Sequence, residues 1–367
     1  MRVGLTYNLR NDALLTHADP PDLYSEFDSP ETITQLSDTL TDLGHEVIAI
    51  GDAWQLMQFL CAGKRVDMVF NIAEGLGGRA REAQVPCILE VAGIPYTFSD
   101  PLSLALALDK GMTKRVWHSA GLATAPFWVV QHLSDLEHLL DNLPVTNHQA
   151  SDDQAAHLAA FTWPLFAKPL HEGTSKGISD AALCDSPEIL LMRVKGLLER
   201  YRQAVIIEPY LPGREFTVAL LGTGAHARVL GMMEITFNQA SPAYGQQEKA
   251  TYTTSVAYCA VSEHPLAAQL ATLALNAYTS LGCRDAGRVD IRLDAQGQPH
   301  LLEINPLPGL HPTHSDLSII ARQQHVSYND VIHCIMASAV SRLELPSDLV
   351  TMTPPAVLIP PSPGAVS

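Results

Sequence analysis

The sequence predicts an α/β protein that starts with a small parallel lobe and continues with antiparallel sheet structure. Strand-like and helix-like segments alternate from residue 1 to about residue 100, which is typical of β-α-β units. After residue 200, three strand-like segments follow one another without a helix between them, which favours an antiparallel sheet. A chain of 367 residues, 47% of them hydrophobic, is long enough for two or three compact lobes.

The first lobe is predicted to hold four strands and two helices. In chain order these are strand 1–8, helix 30–43, strand 45–50, strand 66–72, helix 81–93 and strand 94–98. Gly44 follows the first helix and is typical of a helix end. The Gly-rich fingerprint of dinucleotide-binding proteins is missing from the first turn, so a Rossmann dehydrogenase is not supported.

The rest of the chain is predicted to be strand-rich. The segments are helix 101–120, strands 126–130, 163–170, 204–211, 214–222 and 227–235, helix 264–282 and a hairpin at 287–306. The polar stretch at 141–160 is expected to be a surface excursion. The last fifteen or so residues of the Pro-rich stretch 343–367 are expected to be disordered.

Composition argues against several partners and locations. The net charge is −16, and no run of Lys and Arg forms a stripe, so neither nucleic acid nor an anionic membrane is an expected partner. Six scattered cysteines without a C-x-x-C pair indicate reduced thiols, not a disulfide framework or zinc site. With no signal peptide and no apolar run of membrane-spanning length, we expect a soluble, cytoplasmic protein.

The hairpin carries the first candidate site. Its alternation predicts that Asp290 lies opposite Glu303 and that Arg288 lies opposite Asn305, with all four side chains on one face. Facing carboxylates repel unless a cation lies between them, and oxygen ligands without His or Cys suit Mg²⁺. The alternative is a solvated face on which Arg288 neutralises Asp290, and the spacing alone leaves both interpretations open.

A second candidate site is the loop after the strand at 163–170. Lys168 ends this strand, and the loop that comes after it contains Gly173, Thr174, Ser175 and Gly177. Backbone N–H groups and hydroxyls in such a loop can hold phosphate oxygens while the ammonium offsets their charge. The spacing is not that of the Walker motif, so a P-loop enzyme is excluded. Most Gly-rich turns are only turns, so the loop alone is a weak signal.

The stretches "GRVDIRLD" and "LLEINPLPGL" together resemble the metal site of ATP-grasp carboxylate–amine ligases, in particular the D-alanine–D-alanine ligase branch. The resemblance runs from about residue 60 to about residue 335. It implies the ATP-grasp fold, in which an N-terminal α/β lobe is followed by two α+β lobes that clasp ATP. The implied domains are 1–100, 101–190 for the central subdomain, 191–342 for the C-terminal subdomain with the metal site, and a tail at 343–367.

The resemblance also implies the residues that handle ATP and metal. Two Mg²⁺ ions, with Mn²⁺ as a possible replacement, would be bound by Asp290, Glu303 and Asn305. Arg288 would stabilise the reacting carboxylate and the oxyanion, and the catalytic set would also include Ser175 and Lys249, the latter on a lid at 237–255. The residues implied to bind ATP are Lys114, Lys168, Thr174, Glu208, Leu211 and Glu215.

The stretches that bind substrate in this family match less well. Glu31 is the best counterpart of the Glu that binds the first substrate's ammonium, and Glu26 is the second candidate. A His-Gly segment of the family is replaced by residues 70–86, which contain Asn71, Glu74, Arg81 and Glu82. After Gly309 the family has a Ser that holds the second substrate's carboxylate. His314 and Ser315 are the candidates here.

The predicted activity is ATP-driven amide formation through an acyl phosphate, with small-molecule amino acids or peptides as substrates. The altered substrate stretches favour substrates other than two D-alanines. A D-alanine–D-alanine ligase is the closest alternative, and a catalytically silent nucleotide-binding regulator is an alternative of another class. The resemblance implies a homodimer.

Overall fold

A computed structural model describes residues 1–12, 16, 19–142, 161–178, 182–237, 256–261 and 264–345. Three predictions fall largely or wholly outside this part of the chain: the polar excursion, the lid segment with Lys249, and the Pro-rich tail. All six cysteines lie within it and are free thiols, as the sequence predicted. Within the described residues, no helix combines the length and the apolar character needed to cross a membrane.

The first sheet is parallel and has three strands in the order β2-β1-β3. The elements of this lobe are β1 (Arg2–Tyr7), α1 (Pro30–Asp42), β2 (Glu46–Gly51), α2 (Ala53–Cys61), β3 (Met68–Ile72) and α3 (Gln84–Ala92). Ser29 and Asp52 cap the N-termini of α1 and α2. Helix α2 was not predicted. The strand predicted at 94–98 is wrong, because Tyr96 forms only a single bridge to Val69.

The helix predicted over 101–120 is in fact two helices, α4 (Pro101–Leu108) and α5 (Lys110–Ser119). Asp109 separates them, with an extended backbone and a side chain that accepts the Met112 N–H at 2.9 Å as the N-cap of α5. The same carboxylate accepts Arg79 Nε at 2.9 Å. An Asp that caps the second helix and binds a distant Arg explains the break.

The second sheet is antiparallel, with four strands in the order β4-β7-β5-β6. Its elements are β4 (Trp128–Val130), α6 (Leu133–Asn142), β5 (Leu165–Pro169), β6 (Leu183–Cys184), α7 (Pro187–Tyr201) and β7 (Val205–Pro209). The expected single antiparallel sheet over 204–235 is wrong, because the chain leaves this sheet after Pro209. Proline cannot donate to a strand ladder. Gly213 then passes so close to the Leu293 carbonyl that a Cβ would lie 2.6 Å from its oxygen.

The third sheet has five antiparallel strands in the order β10-β9-β8-β11-β12. Its elements are β8 (Glu215–Leu221), β9 (Arg228–Phe237), β10 (Val256–Ala260), α8 (His264–Ser280), β11 (Ala286–Leu293), β12 (Pro299–Asn305), α9 (Asp316–Gln323) and α10 (Tyr328–Arg342). The predicted hairpin register is confirmed at its carboxylate end, where Asp290 pairs with Glu303 and Arg288 with Asn305. Beyond Asp290 a bulge leaves Leu302 as an extra residue in β12.

A buried carboxylate, Asp285, joins the first and third sheets. It is fully buried, and it accepts the Phe98 backbone N–H at 2.8 Å and the Ser338 hydroxyl at 2.8 Å. Arg342 at the end of α10 binds it at 2.9 Å and also donates to the Tyr96 carbonyl at 2.6 Å. Around these groups, apolar side chains of α1, α9 and α10 form one core between the two sheets.

We therefore expect Asp285→Ala to lower the free energy of unfolding by about 3–5 kcal/mol, because it leaves the Arg342 guanidinium buried without its counter-charge. Urea denaturation followed by circular dichroism measures this. The control is Glu46→Ala, which breaks the exposed Arg2–Glu46 pair and should change the stability by less than about 1 kcal/mol. Equal effects of the two substitutions would contradict the structural role given to Asp285.

Candidate functional site

The main cleft lies between the second and third sheets. Its lining residues are Ala125, Phe166, Lys168, Ser175, Ile178, Glu208, Pro209, Tyr210, Leu211, Glu215, Thr217, Ile235, Arg288, Asp290, Arg292, Leu302, Glu303 and Asp316. Eight of the residues predicted for the site are therefore brought together: Lys168, Ser175, Glu208, Leu211, Glu215, Arg288, Asp290 and Glu303. Lys114 lies just behind them, in contact with Glu208.

Two buried lysines share one carboxylate at the back of the cleft. Glu208 lies 2.5 Å from the Lys114 ammonium and 3.1 Å from that of Lys168. Burial opposes the charge on Lys168, but Glu208 and Glu303 outweigh it and raise the pKa of that ammonium. Burial prevails at Lys114 and lowers its pKa. Glu208 therefore holds both lysines at one wall of the cleft. A ligand that binds Glu208 or one of the lysines must replace the charge-assisted hydrogen bond between them.

The Gly-rich loop after β5 has a strained backbone. Thr174 and Ser175 have positive φ angles of 48° and 57°, in the left-handed region that residues other than glycine rarely adopt. Such strain costs on the order of 1–3 kcal/mol per residue, and it is concentrated at ligand-binding sites. Glu26 accepts the Gly173 N–H at 2.7 Å, and a Cβ at Gly173 would lie 2.6 Å from that carboxylate. The loop is therefore held by an acidic residue of the first lobe.

One end of the cleft is apolar and aromatic. Phe166 and Tyr210 lie with their ring centroids 6.5 Å apart and nearly parallel. Arg292 stacks on the Tyr210 ring at 4.7 Å and binds Glu215 at 3.1 Å. Burial raises the pKa of the Glu215 carboxyl, and Arg292 opposes that shift. A flat aromatic base fits between such surfaces, and Glu215 is placed to accept from hydroxyl groups beside it.

The carboxylate pair lies at the other end. Burial and the facing Glu303 raise the pKa of Asp290, and Arg288, at 3.1 Å, opposes this effect. Lys110 lies 3.5 Å from Glu303. Arg288 therefore does neutralise Asp290, as the alternative interpretation of the hairpin required, but the pair lines a cleft and not a solvated face. Asn305 turns its side-chain oxygen to the Leu307 N–H at 3.0 Å and does not line the cleft.

A second charged group connects the first lobe to the Gly-rich loop. The Glu26 side chain is 6% exposed and binds Arg81 at 2.9 Å and Lys176 at 2.5 Å. Burial works against the charge of Glu26, but these two cations outweigh it and lower the pKa of its carboxyl. Glu82 and Glu74 lie near this group: burial raises the pKa of Glu82 to about 7, and burial together with Glu82 raises that of Glu74 well above its usual range.

The turn before α9 forms the rim of the cleft. Ser315 accepts the His311 N–H at 2.8 Å, and its hydroxyl would lie 2.9 Å from a Cβ at Gly309, so only glycine fits there without a shift. His314 stacks on His311 with ring centroids 4.6 Å apart. Glu31, largely exposed at the start of α1, reaches His311 at 3.8 Å. Glu31 and Glu26 therefore occupy different places, the first at this rim and the second at the Gly-rich loop.

The sequence interpretation did not assign four charged residues that the structure places at the site: Lys110, Lys176, Arg292 and Asp316. Lys110 and Lys176 stand inside stretches whose other lysines were chosen, and each pairs with an acid from a distant part of the chain. Asp316 opens α9, where an acidic residue is ordinarily explained by the helix dipole. For all four residues, the signal that the sequence does not show is the oppositely charged partner, which lies on another element.

Comparison with known proteins finds a consistent group of relatives. The profile of the family described as "D-ala D-ala ligase C-terminus" matches residues 116–337. A D-alanine–D-alanine ligase of Bordetella avium is 36% identical over 261 residues, which cover 71% of this chain and 74% of that one. An uncharacterized protein of Sinorhizobium fredii is 34% identical over 285 residues and covers 75% of each chain.

Solved structures resemble the fold. A D-alanine–D-alanine ligase of Bacillus anthracis in complex with ATP has a TM-score of 0.66 and 18% identity, covering 94% of this chain and 99% of that one. The VanG D-Ala:D-Ser ligase of Enterococcus faecalis has a TM-score of 0.67 and 19% identity, covering 92% and 99%. The ATP-grasp fold predicted from the sequence is confirmed.

The site makes one prediction about pH. Burial raises the pKa of Asp28, which neighbours Glu74, to about 7, against about 3.9 in an unfolded chain. Between these values the folded protein keeps a proton that the unfolded chain releases, so stability falls as pH rises from about 4 to about 7 and then levels off. The substitution Asp28→Asn removes this pH-dependent loss of stability.

The variant should therefore become more stable than the wild type as pH rises through this window, by at most about 4 kcal/mol. Urea titrations at several pH values measure the difference. Asp38→Asn, which changes an exposed carboxylate on α1, is the control and should track the wild type. A difference between Asp28→Asn and wild type that does not depend on pH would show that Asp28 is not protonated in the fold.

Proposed function

Because the chain belongs to the D-alanine–D-alanine ligase family, we propose that it joins an amino acid or small peptide substrate pair other than two D-alanines. It is an ATP-dependent ligase that forms C–N bonds. The observation that carries the substrate proposal is the contrast between the two parts of the cleft. Its nucleotide half brings together the residues expected for this chemistry, whereas on the substrate side acidic residues are paired with arginines, Asp316 with Arg288 in the cleft and Glu26 with Arg81 beside the Gly-rich loop.

In the proposed nucleotide site, the adenine lies at the apolar end beside Phe166 and Tyr210. Glu208 and the backbone of Leu211 would contact the base, and Glu215 the ribose hydroxyls. The phosphates would lie along Lys114 and Lys168, under the Gly-rich loop with Thr174 and Ser175. Support for this comes from the cleft lining and from the strained loop. Lys249 is assigned to a lid on the strength of the sequence alone, since it lies outside the described residues.

We propose that Asp290 and Glu303 hold two Mg²⁺ ions with the nucleotide, and that Asn305, whose side-chain oxygen accepts the Leu307 N–H in this structure, turns toward them as the third ligand. The chemistry of these oxygens fits a hard cation, because burial and the facing Glu303 oppose the charge of Asp290 and Arg288 offsets this effect only in part. Within the described residues, no group of three His, Cys, Asp or Glu side chains could hold an ion alone, so the amide and the nucleotide must complete the ligand set. Bound there, Mg²⁺ offsets the charge of the transferring phosphoryl group.

The proposed reaction has two steps. A carboxylate oxygen of the first substrate attacks the γ-phosphorus of ATP, the bond to ADP breaks, and an acyl phosphate forms. The deprotonated amine of the second substrate then attacks the acyl carbon, and the tetrahedral intermediate expels phosphate to leave the amide. Arg288 points from β11 into the cleft, where it can stabilise the oxyanion, and Lys168 offsets phosphoryl charge.

A D-alanine–D-alanine ligase is the second candidate, and the similarity to the D-alanine–D-alanine ligase of Bordetella avium favours it. Against it stand the replaced His-Gly segment and the weaker match of the stretches around Glu31 and after Gly309. We also propose that the protein is a homodimer. Exposed apolar side chains on the neighbouring helices α2 and α3 support this, namely Trp54, Met57 and Val91.

Glu303→Gln should leave the fold intact, because it neutralises one member of a repelling pair, and should reduce ADP production at least about 100-fold. A coupled assay of ADP release measures turnover, and thermal unfolding checks the fold. Glu46→Gln, an exposed Glu on β2, is the matched control and should behave as the wild type. If Glu303→Gln turned over as fast as the wild type, Glu303 would not belong to the catalytic site. A wild type that never releases ADP would favour the catalytically silent regulator.

With D-alanine as the sole amino acid, we expect poor turnover. A small substrate is held by few contacts, and the loss of one paired charge typically costs about 1.5–3 kcal/mol, or roughly ten- to a hundredfold in affinity. The measurement is ADP release over pairs of amino acids, dipeptides and amines, with D-alanine included. Efficient synthesis of D-alanyl-D-alanine at millimolar D-alanine would establish the second candidate instead.

A further inference from the structure

Asp316 is a charged residue of the cleft that has no part in the proposed reaction. It is the first residue of α9, its side chain is 12% exposed, and it lines the cleft together with Arg288, Asp290 and Glu303. Its carboxylate oxygen accepts Arg288 Nη1 at 2.7 Å. It comes directly after Ser315, so it stands where the turn after Gly309 meets the proposed reaction centre. A role for Asp316 in the choice of substrate rests on the proposed function and deepens it.

The ion pair with Asp316 occupies the side of the Arg288 guanidinium that could bind a substrate carboxylate. A guanidinium binds a carboxylate through two parallel N–H groups on one side of its fork. Here Nη1 donates to Asp316, and Nη2 donates to Asp290 at 3.1 Å and lies 3.9 Å from Glu303. Nε is buried and has no hydrogen-bond partner among the described residues. A substrate carboxylate would have to displace Asp316 to gain a two-point contact with Arg288.

The surroundings of Asp316 do not supply another cation for such a carboxylate. Lys110, which also contacts Glu303, donates to the Glu172 carbonyl as well. On the rim, burial and the neighbouring His314 lower the pKa of His311, which disfavours a positive charge on that imidazole. Glu31 adds a further carboxylate 3.8 Å from His311. In all, the cleft lining holds five carboxylates against three cations.

We propose that Asp316 selects the amine acceptor, favouring one that presents a second positive charge at this position and rejecting one that presents a carboxylate. Within the proposed substrates, the fitting class is a diamino acid whose carboxylate is blocked, as in an amide, and a simple diamine carries the same two charges. One ammonium gives up one proton to solvent and becomes the neutral nucleophile, and the other is held by Asp316. An α-amino acid acceptor would place its carboxylate against Asp316, where like charges repel.

Calorimetric titration tests this without knowledge of the acyl donor. The full-length protein is titrated, with and without Mg²⁺ and the non-hydrolysable nucleotide AMP-PNP, with three probes: 1,3-diaminopropane, D-alaninamide and D-alanine. In the wild type we expect the diamine to bind at least about tenfold more tightly than D-alanine, with the amide between them. In Asp316→Asn the affinity for the diamine should fall about tenfold, and the affinity for D-alanine should rise. Asp38→Asn on α1 is the matched control and should keep the wild-type order.

A residue that merely orients Arg288 would weaken all three probes alike when changed, whereas a selecting residue moves the diamine and D-alanine in opposite directions. D-alanine that binds as tightly as the diamine in the wild type, or an order of affinities unchanged in Asp316→Asn, would overturn the proposal. The nucleotide titration is read separately: failure of AMP-PNP to bind counts against the proposed function, while the probe order without nucleotide still decides the role of Asp316.

Discussion

One buried carboxylate, that of Asp285, joins three parts of the chain that are distant in sequence. It accepts the Phe98 N–H from the first lobe, the Ser338 hydroxyl and the Arg342 guanidinium from α10, and the Thr223 hydroxyl from the turn after β8. Because a buried charge must be paired, these segments can move apart only at the cost of an uncompensated ion. The first lobe is thereby fixed against the third sheet, and the substrate half of the cleft depends on this attachment.

The cleft and the Gly-rich loop beside it obey the same rule, since their cations and carboxylates alternate. Lys114, Glu208 and Lys168 form one group, and Lys176, Glu26 and Arg81 another. Such an arrangement keeps charged groups buried and oriented before any ligand enters. In the proposed nucleotide site, binding of a highly charged nucleotide would then be an exchange of partners within a prearranged set, which agrees with the burial of Lys114 and Lys168.

The parts of the site that the sequence predicted are local in the chain. The pairing of Asp290 with Glu303 follows from alternation across a short hairpin, and the Gly-rich loop follows from composition. Partners far apart in sequence were not predictable: Glu26 meets Lys176 across 150 residues, and Asp316 meets Arg288 across a turn and a change of element. The break at Asp109 and the change of sheet after Pro209 were missed for the same reason, because each depends on contacts with a remote segment.

The extra residue in β12 changes which side chains of this strand reach the cleft. Leu301 and Ile304 are buried in the core, while Leu302 and Glu303 both line the cleft, an arrangement that strict alternation does not allow. A hairpin lacking Leu302 would still pair Ile291 with Leu301 and Asp290 with Glu303, with every core side chain on its present face. Leu302 is thus dispensable to the architecture and serves the cavity alone. The extra residue thus gives the acidic wall an apolar neighbour without disturbing the paired hairpin on either side of it.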